Sequence, residues 1–211
     1  MKVLLVNGSP HEKGCTYTAL QEVADTLEKE GIGTELFWIG NKPLSGCIDC
    51  RTCMERQKCV FEDRVNEFLA IAKDSDGFIF GTPVHYASAA GAMISFMDRL
   101  FFADLLSDRQ SFYLKPAAAV VSARRAGTTS TFDQLNKYFT ITEMPIISSR
   151  YWNMVHGHTP EDVKKDLEGL QTMRVLGRNM AWFLKCKEAG IKADIPFPKR
   201  EETIFTNFIR E

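Results

Sequence analysis

Residues 2–20, KVLLVNGSPHEKGCTYTAL, pass from a strand to a helix through a single loop, and that passage decides the fold. Lys2 to Val6 is a short run of valine and leucine without polar alternation, halted by Asn7-Gly8. Such a run is a strand buried on both faces, as in a parallel sheet. Gly8 to Cys15 is turn chemistry throughout. Thr16 is the expected N-cap, after which Leu20, Val23, Ala24 and Leu27 recur at helical spacing.

The same unit repeats outward along the chain. Gly31 closes the first helix, and Thr34–Ile39 alternates as a second strand. Gly77–Gly81 is a third strand closed by Thr82-Pro83, Ala117–Ser122 a fourth and Pro145–Tyr151 a fifth. Helical spacing joins Val65, Phe68, Leu69 and Ala72 behind Asp63. It also joins Met93, Met97, Leu100 and Phe101, then Phe132, Leu135 and Phe139, and a long helix from near Glu161 to about Lys187. Five βα units imply an α/β doubly wound parallel sheet, because right-handed crossovers lay helices on both faces. Five strands favour the flavodoxin-like order 2-1-3-4-5. Residues 1–188 form that domain. Residues 189–211, with Pro196 and Pro198, form an extended tail. Its Phe197, Phe205, Phe208 and Ile209 are expected to be covered, either by the chain's own helices or by a partner subunit.

Composition excludes several functions. Hydrophobic residues make up 45% and charged residues 25%, the balance of a packed globular chain and not of a disordered one. With 26 Lys and Arg against 27 Asp and Glu, the formal net charge is −1. That evenness argues against a nucleic-acid binder or a polybasic membrane anchor. Val3–Val6 is too short for a signal segment and no stretch is long enough to span a bilayer, so a cytoplasmic location is expected. There, structural disulfides are rare.

Sheets of this order bind ligands beyond the carboxyl ends of their strands, which nominates three loops. The loop after strand one places exposed N–H groups and the hydroxyls of Ser9, Thr16 and Thr18 at a helix N-terminus, a phosphate site without a P-loop lysine. The loop after strand three, Thr82-Pro83-Val84-His85-Tyr86-Ala87-Ser88, offers a rigid proline and two rings to a flat ligand. The loop after strand four, Ser122 to Thr128, carries Arg124 and Arg125 to the same edge.

Gly8-Ser9-Pro10, Gly14-Cys15-Thr16, Thr82-Pro83-Val84-His85-Tyr86 and Met97-Asp98-Arg99 together resemble the NADPH-dependent FMN reductase and iron-sulfur flavoprotein group. The resemblance runs from Met1 to about Tyr151. Cys15 stands where that group usually has asparagine, and His85-Tyr86 where it has one aromatic. The resemblance implies FMN, its phosphate held by Ser9, Pro10, Thr16, Tyr17 and Thr18. The ring would be held by Pro83, Val84, His85, Tyr86, Ser122, Arg124 and Gly127. It also implies NAD(P)H as co-substrate and assembly as a homodimer or homotetramer.

Cys47, Cys50, Cys53 and Cys59 follow strand two with the spacing C-x2-C-x2-C-x5-C. Four thiols this close suit a 4Fe–4S cluster. Structural zinc more often uses two separated CxxC pairs. Zinc and metal-free thiols are the alternatives. Cys15 and Cys186 read as plain thiols. The expected function is an FMN-dependent oxidoreductase in which the flavin carries the chemistry and no side chain is catalytic. Its partner is a small acceptor such as a quinone or free flavin, with electrons from NAD(P)H, or else a redox protein. The alternative is a non-enzymatic module, zinc-stapled or metal-free, on the same scaffold.

Overall fold

A computed structural model describes residues 1–107, 109–204, 206, 208 and 209. Its elements in chain order are β1 (Lys2–Asn7), α1 (Cys15–Lys29), β2 (Gly33–Trp38), α2 (Cys53–Arg56), α3 (Arg64–Ala72), β3 (Gly77–His85) and β4 (Ser88–Ala89). They continue with α4 (Gly91–Leu106), β5 (Ala117–Ala123), α5 (Thr128–Ile141), β6 (Met154–His156), α6 (Pro160–Val163) and α7 (Leu167–Lys192). The parallel strands lie in the order β2-β1-β3-β5-β6, and β4 folds back antiparallel on the end of β3. Without that two-residue hairpin strand, this is the expected 2-1-3-4-5.

Each central strand sends alternate side chains to opposite layers. Leu4, Val6, Phe78 and Phe80 point towards α3, α4 and α5, whereas Val3, Leu5 and Ile79 point towards α1 and α7. This explains the unbroken apolar runs, since neither face meets water. The first layer is aromatic. Phe68 packs against Phe37, Phe78, Phe80 and Phe96 with ring centroids 5.0, 6.2, 6.2 and 5.5 Å away. Such pairs add about 0.5–1.5 kcal/mol each beyond the apolar area they bury.

Several boundaries differ from expectation. Gly14, not Thr16, is the N-cap of α1; Thr16 lies inside the first turn, buried. β3 runs past Pro83 to His85, because Pro83 still pairs with Ser122 and the chain then turns back as β4. Pro145–Tyr151 is not a strand. Its start bonds to the first residue of β5, Ala117 N to Pro145 O and Ile147 N to Ala117 O, both at 2.9 Å. The chain then leaves the sheet and rejoins it as β6, after Asn153 O accepts from Val121 N (2.9 Å) and the Asn153 amide donates to Ala119 O (3.0 Å). The long C-terminal helix is two helices, α6 behind the Thr159–Asp162 capping box and α7 capped by Asp166. In the tail, Phe197, Phe208 and Ile209 are 53%, 90% and 80% exposed, so the chain's own helices leave them largely uncovered. Phe205 lies outside the described residues. Among the described residues, no helix is long and apolar enough to cross a membrane.

Candidate functional site

At the carboxyl edge of the sheet the loop after β1 is shaped from inside. The buried Asn7 side chain accepts from Ser9 N (3.0 Å) and donates to Glu12 O (2.9 Å), and Ser9 Oγ accepts from His11 N (3.1 Å). Gly8 N donates to Gly81 O at 2.8 Å. A Cβ on Gly8 would lie 2.6 Å from Met93 Sδ, so glycine is what lets the loop approach β3. The loop delivers the chain to the N-terminus of α1, which has no side-chain cap and no acid in its first turn. Its unpaired N–H groups and dipole favour an anion.

Four segments, the three expected loops and the turn after β6, close around a cavity of about 350 Å³ there. Its wall includes Ser9, Pro10 and Thr16 from the first loop, Pro83, Val84 and His85 from the third strand, and Ser122 and Arg124 from the end of β5. Thr16 Oγ1 and Ser122 Oγ are hydrogen-bonded at 2.9 Å, joining two of these segments. Gly127, in the left-handed region at φ 95°, caps α5 behind the wall; a Cβ there would meet Val84 Cγ1 at 2.9 Å. Among the described residues no aspartate or glutamate lines the cavity, whereas Arg124 and three of the chain's four histidines (His11, His85 and His158) do.

Tyr17 and Thr18 face elsewhere, into a groove between α1 and α6, and the Thr18 hydroxyl is turned back to Gly14 O (3.2 Å). Tyr86 occupies the tip of the β3–β4 hairpin at φ 64° with its side chain fully exposed, away from the cavity wall. Arg125 is exposed and also off the wall. Sequence reasoning missed His11, Cys15, Ala123, Gly157 and His158, all on the wall. Gly157 and His158 follow β6. Placing the fifth strand at 145–151 moved its carboxyl end, and hence its ligand loop, out of view. Cys15 donates its thiol to Gly157 O at 3.7 Å, and burial raises its pKa.

Cys47, Cys50, Cys53 and Cys59 converge on a second, small cavity of about 20 Å³ with Phe61, Phe102 and Arg99 also in its wall. Cys53 is buried at the start of α2 and Cys59 half-buried; Cys47 and Cys50 are exposed on a segment without helix or strand. Asp49, Arg51 and Gln57 take left-handed φ values of 49°, 55° and 58°. Hydrogen bonds from Thr52 lower the Cys50 pKa, whereas burial, reinforced by the other three thiols, raises that of Cys53. Among the described residues no three His, Cys, Asp or Glu side chains could hold a single metal ion. The four cysteines line one cavity without converging on a single point.

The sequence model of the family described as NADPH-dependent FMN reductase matches residues 1–159. An iron-sulfur flavoprotein of Methanocaldococcus jannaschii is 33% identical over 194 residues, covering 88% of this chain and 98% of that protein. An iron-sulfur flavoprotein of Methanosarcina thermophila is 23% identical, covering 82% and 90%. Among solved structures, RosB with a bound formyl-flavin phosphate intermediate superposes at a TM-score of 0.70, with 15% identity and 100% and 95% coverage. A flavodoxin from the domain Archaea superposes at 0.58, with 16% identity and 88% and 99% coverage. At those identities the structural likeness establishes the flavodoxin-like fold.

Proposed function

The chain belongs to the NADPH-dependent FMN reductase family, and from that premise we propose an electron-transferring flavoprotein with FMN in the first cavity and a 4Fe–4S cluster at the four thiols. The observation that carries this reading is the convergence of all four cysteines on one cavity, apart from the cavity at the N-terminus of α1. A cluster spreads its ligands over four irons, which suits thiols around a space; a single zinc would need them at one point. When bound, FMN exchanges two electrons and the cluster one at a time, so the pair can link a one-electron protein partner to a two-electron small acceptor.

The chain's own part is binding and orientation. The uncapped start of α1, with Ser9 and the Thr16–Ser122 hydroxyl pair, would receive the phosphate. Pro83, Val84 and His85 would form one wall for the ring, and Arg124 would stabilise negative charge gained on reduction. A second reading, reduction by NAD(P)H, is favoured by Arg124, an exposed cation on the cavity wall suited to a dinucleotide phosphate. Both readings make the protein a redox enzyme.

The test is the anaerobic absorption spectrum, with FMN released per chain, of the wild type and of His11→Glu. His11 is an exposed wall residue, so the substitution adds a carboxylate to a wall that carries none among the described residues, without disturbing packing. Like-charge repulsion there costs on the order of 1–3 kcal/mol, or roughly 5- to 150-fold in flavin affinity. Flavin bands with a broad brown absorption in the wild type, and depleted flavin in the variant, are expected. A colourless wild type, or undiminished flavin in the variant, overturns the assignment.

A further inference from the structure

Arg99, on α4, is the bulkiest of the fully buried side chains, with none of its side-chain surface exposed. A buried guanidinium is tolerated only when its charge is paired and its donors are used. Asp63 supplies a forked partner, accepting from Nη1 at 2.7 Å and from Nη2 at 3.0 Å, while its other role is to cap α3. Ser45 O (3.3 Å) and Phe61 O (3.4 Å) take further donors. These contacts would suffice for a purely structural arginine. They leave unexplained why Nε and Nη2 both point at Cys59 Sγ, each at 3.2 Å. A neutral thiol is a weak acceptor, whereas a metal-bound thiolate is a strong one.

The Cys59 backbone is held as well: its N–H donates to Asn66 Oδ1 (2.9 Å) and its carbonyl accepts from Asn66 Nδ2 (3.0 Å). Of the four cysteines it is thus fixed at both backbone and sulfur, while Cys47 and Cys50 sit on the exposed wall. Through Ser45 and Phe61, the same guanidinium grips the chain on both sides of the cysteine segment.

We propose that Arg99 is the positioning residue of the four-cysteine site. It presents the Cys59 sulfur as the fixed inner ligand on which the exposed wall closes, and its two N–H···S bonds hold the potential of a bound cluster up. This rests on the cluster reading above. Hydrogen bonds to ligand sulfur stabilise the more negative, reduced cluster, so their loss lowers the potential.

The test uses the full-length chain as wild type, Arg99→Lys, and the double variant Arg99→Gln/Asp63→Asn. Lysine keeps the charge and loses the fork; the double variant removes both charges together, so no unpaired charge is left buried if the lysine variant fails to fold. Each is reconstituted anaerobically with ferrous iron and sulfide, then assayed for iron, sulfide and FMN per chain. The cluster midpoint is followed by electron paramagnetic resonance. The wild type should take up about four irons. The variants should keep FMN, and either hold less than half that iron or show a midpoint shifted to more negative potential. Variants with full iron and the wild-type midpoint, changed only in thermal stability, overturn this inference alone. A wild type that takes up no iron overturns the cluster reading and this inference with it.

Discussion

At the scale of single residues, Asp104 shows how burial becomes a dependence on pH. It lies in α4 at 4% exposure, and both its carboxylate oxygens accept from Ser111 N at 3.1 Å. Burial raises its pKa, against the opposing pull of the Ser111 hydrogen bonds and of Arg109 and Lys115. The folded state therefore keeps a proton that the unfolded chain has lost. Stability from this group is full below the ordinary carboxylate value and is lost as pH rises through the raised one. Asp104→Asn can still accept from Ser111 but does not titrate. The wild type should thus lose ground to this variant as pH goes from about 4 to about 7, by urea unfolding at each pH. The lowered pKa values of Asp162 and Glu62 act equally in both chains and cancel. A difference independent of pH would show that Asp104 is no more protonated folded than unfolded.

Among the elements, the buried strands were the most legible, because Val3–Val6, Phe78–Phe80 and Ala117–Val121 can be apolar on consecutive positions only if both faces are covered. The fifth strand was not, because its ladder is completed by a side chain. Asn153 donates its amide to Ala119 O in place of a backbone N–H, so the chain can leave the sheet at 148–152 and return. No periodicity in sequence signals that substitution. With the strand went its loop, and so His158 was passed over although it shares a wall with His11 and His85. Asn153 is 1% exposed, so Asn153→Ala would strand the Ala119 carbonyl without water. The expected cost is about 1–3 kcal/mol. It should be read as a lower denaturant midpoint at unchanged slope; a midpoint within error of the wild type would mean that this bridge does not hold β6 in the sheet.

Over the whole molecule, the cysteine site was legible in spacing alone, while its partner Arg99 was not, because 40 residues separate it from Cys59. Local sequence cannot report a contact made by packing α4 beside α3. The two cavities share no lining residue, which makes them separable. They are nonetheless joined through Trp38 at the end of β2. Its indole donates to Ser9 O at 2.8 Å, and its carbonyl accepts from Arg64 at 2.6 Å, next to the Asp63 that Arg99 holds. Cys50→Ala tests which relation dominates. Cys50 is exposed and packs no core, so the fold should survive its loss. Removing one thiolate leaves one iron open to solvent, so iron should fall from about four per chain to near zero instead of by a quarter. Flavin content should stay at the wild-type level, because none of the four segments around its cavity includes Cys50. Reduction of the flavin by a nicotinamide should survive, and exchange with a one-electron protein partner should fall sharply. Iron retained at the wild-type level would remove Cys50 from the ligand set. Flavin lost in step with iron would show that the Trp38 connection makes the two sites one cooperative unit.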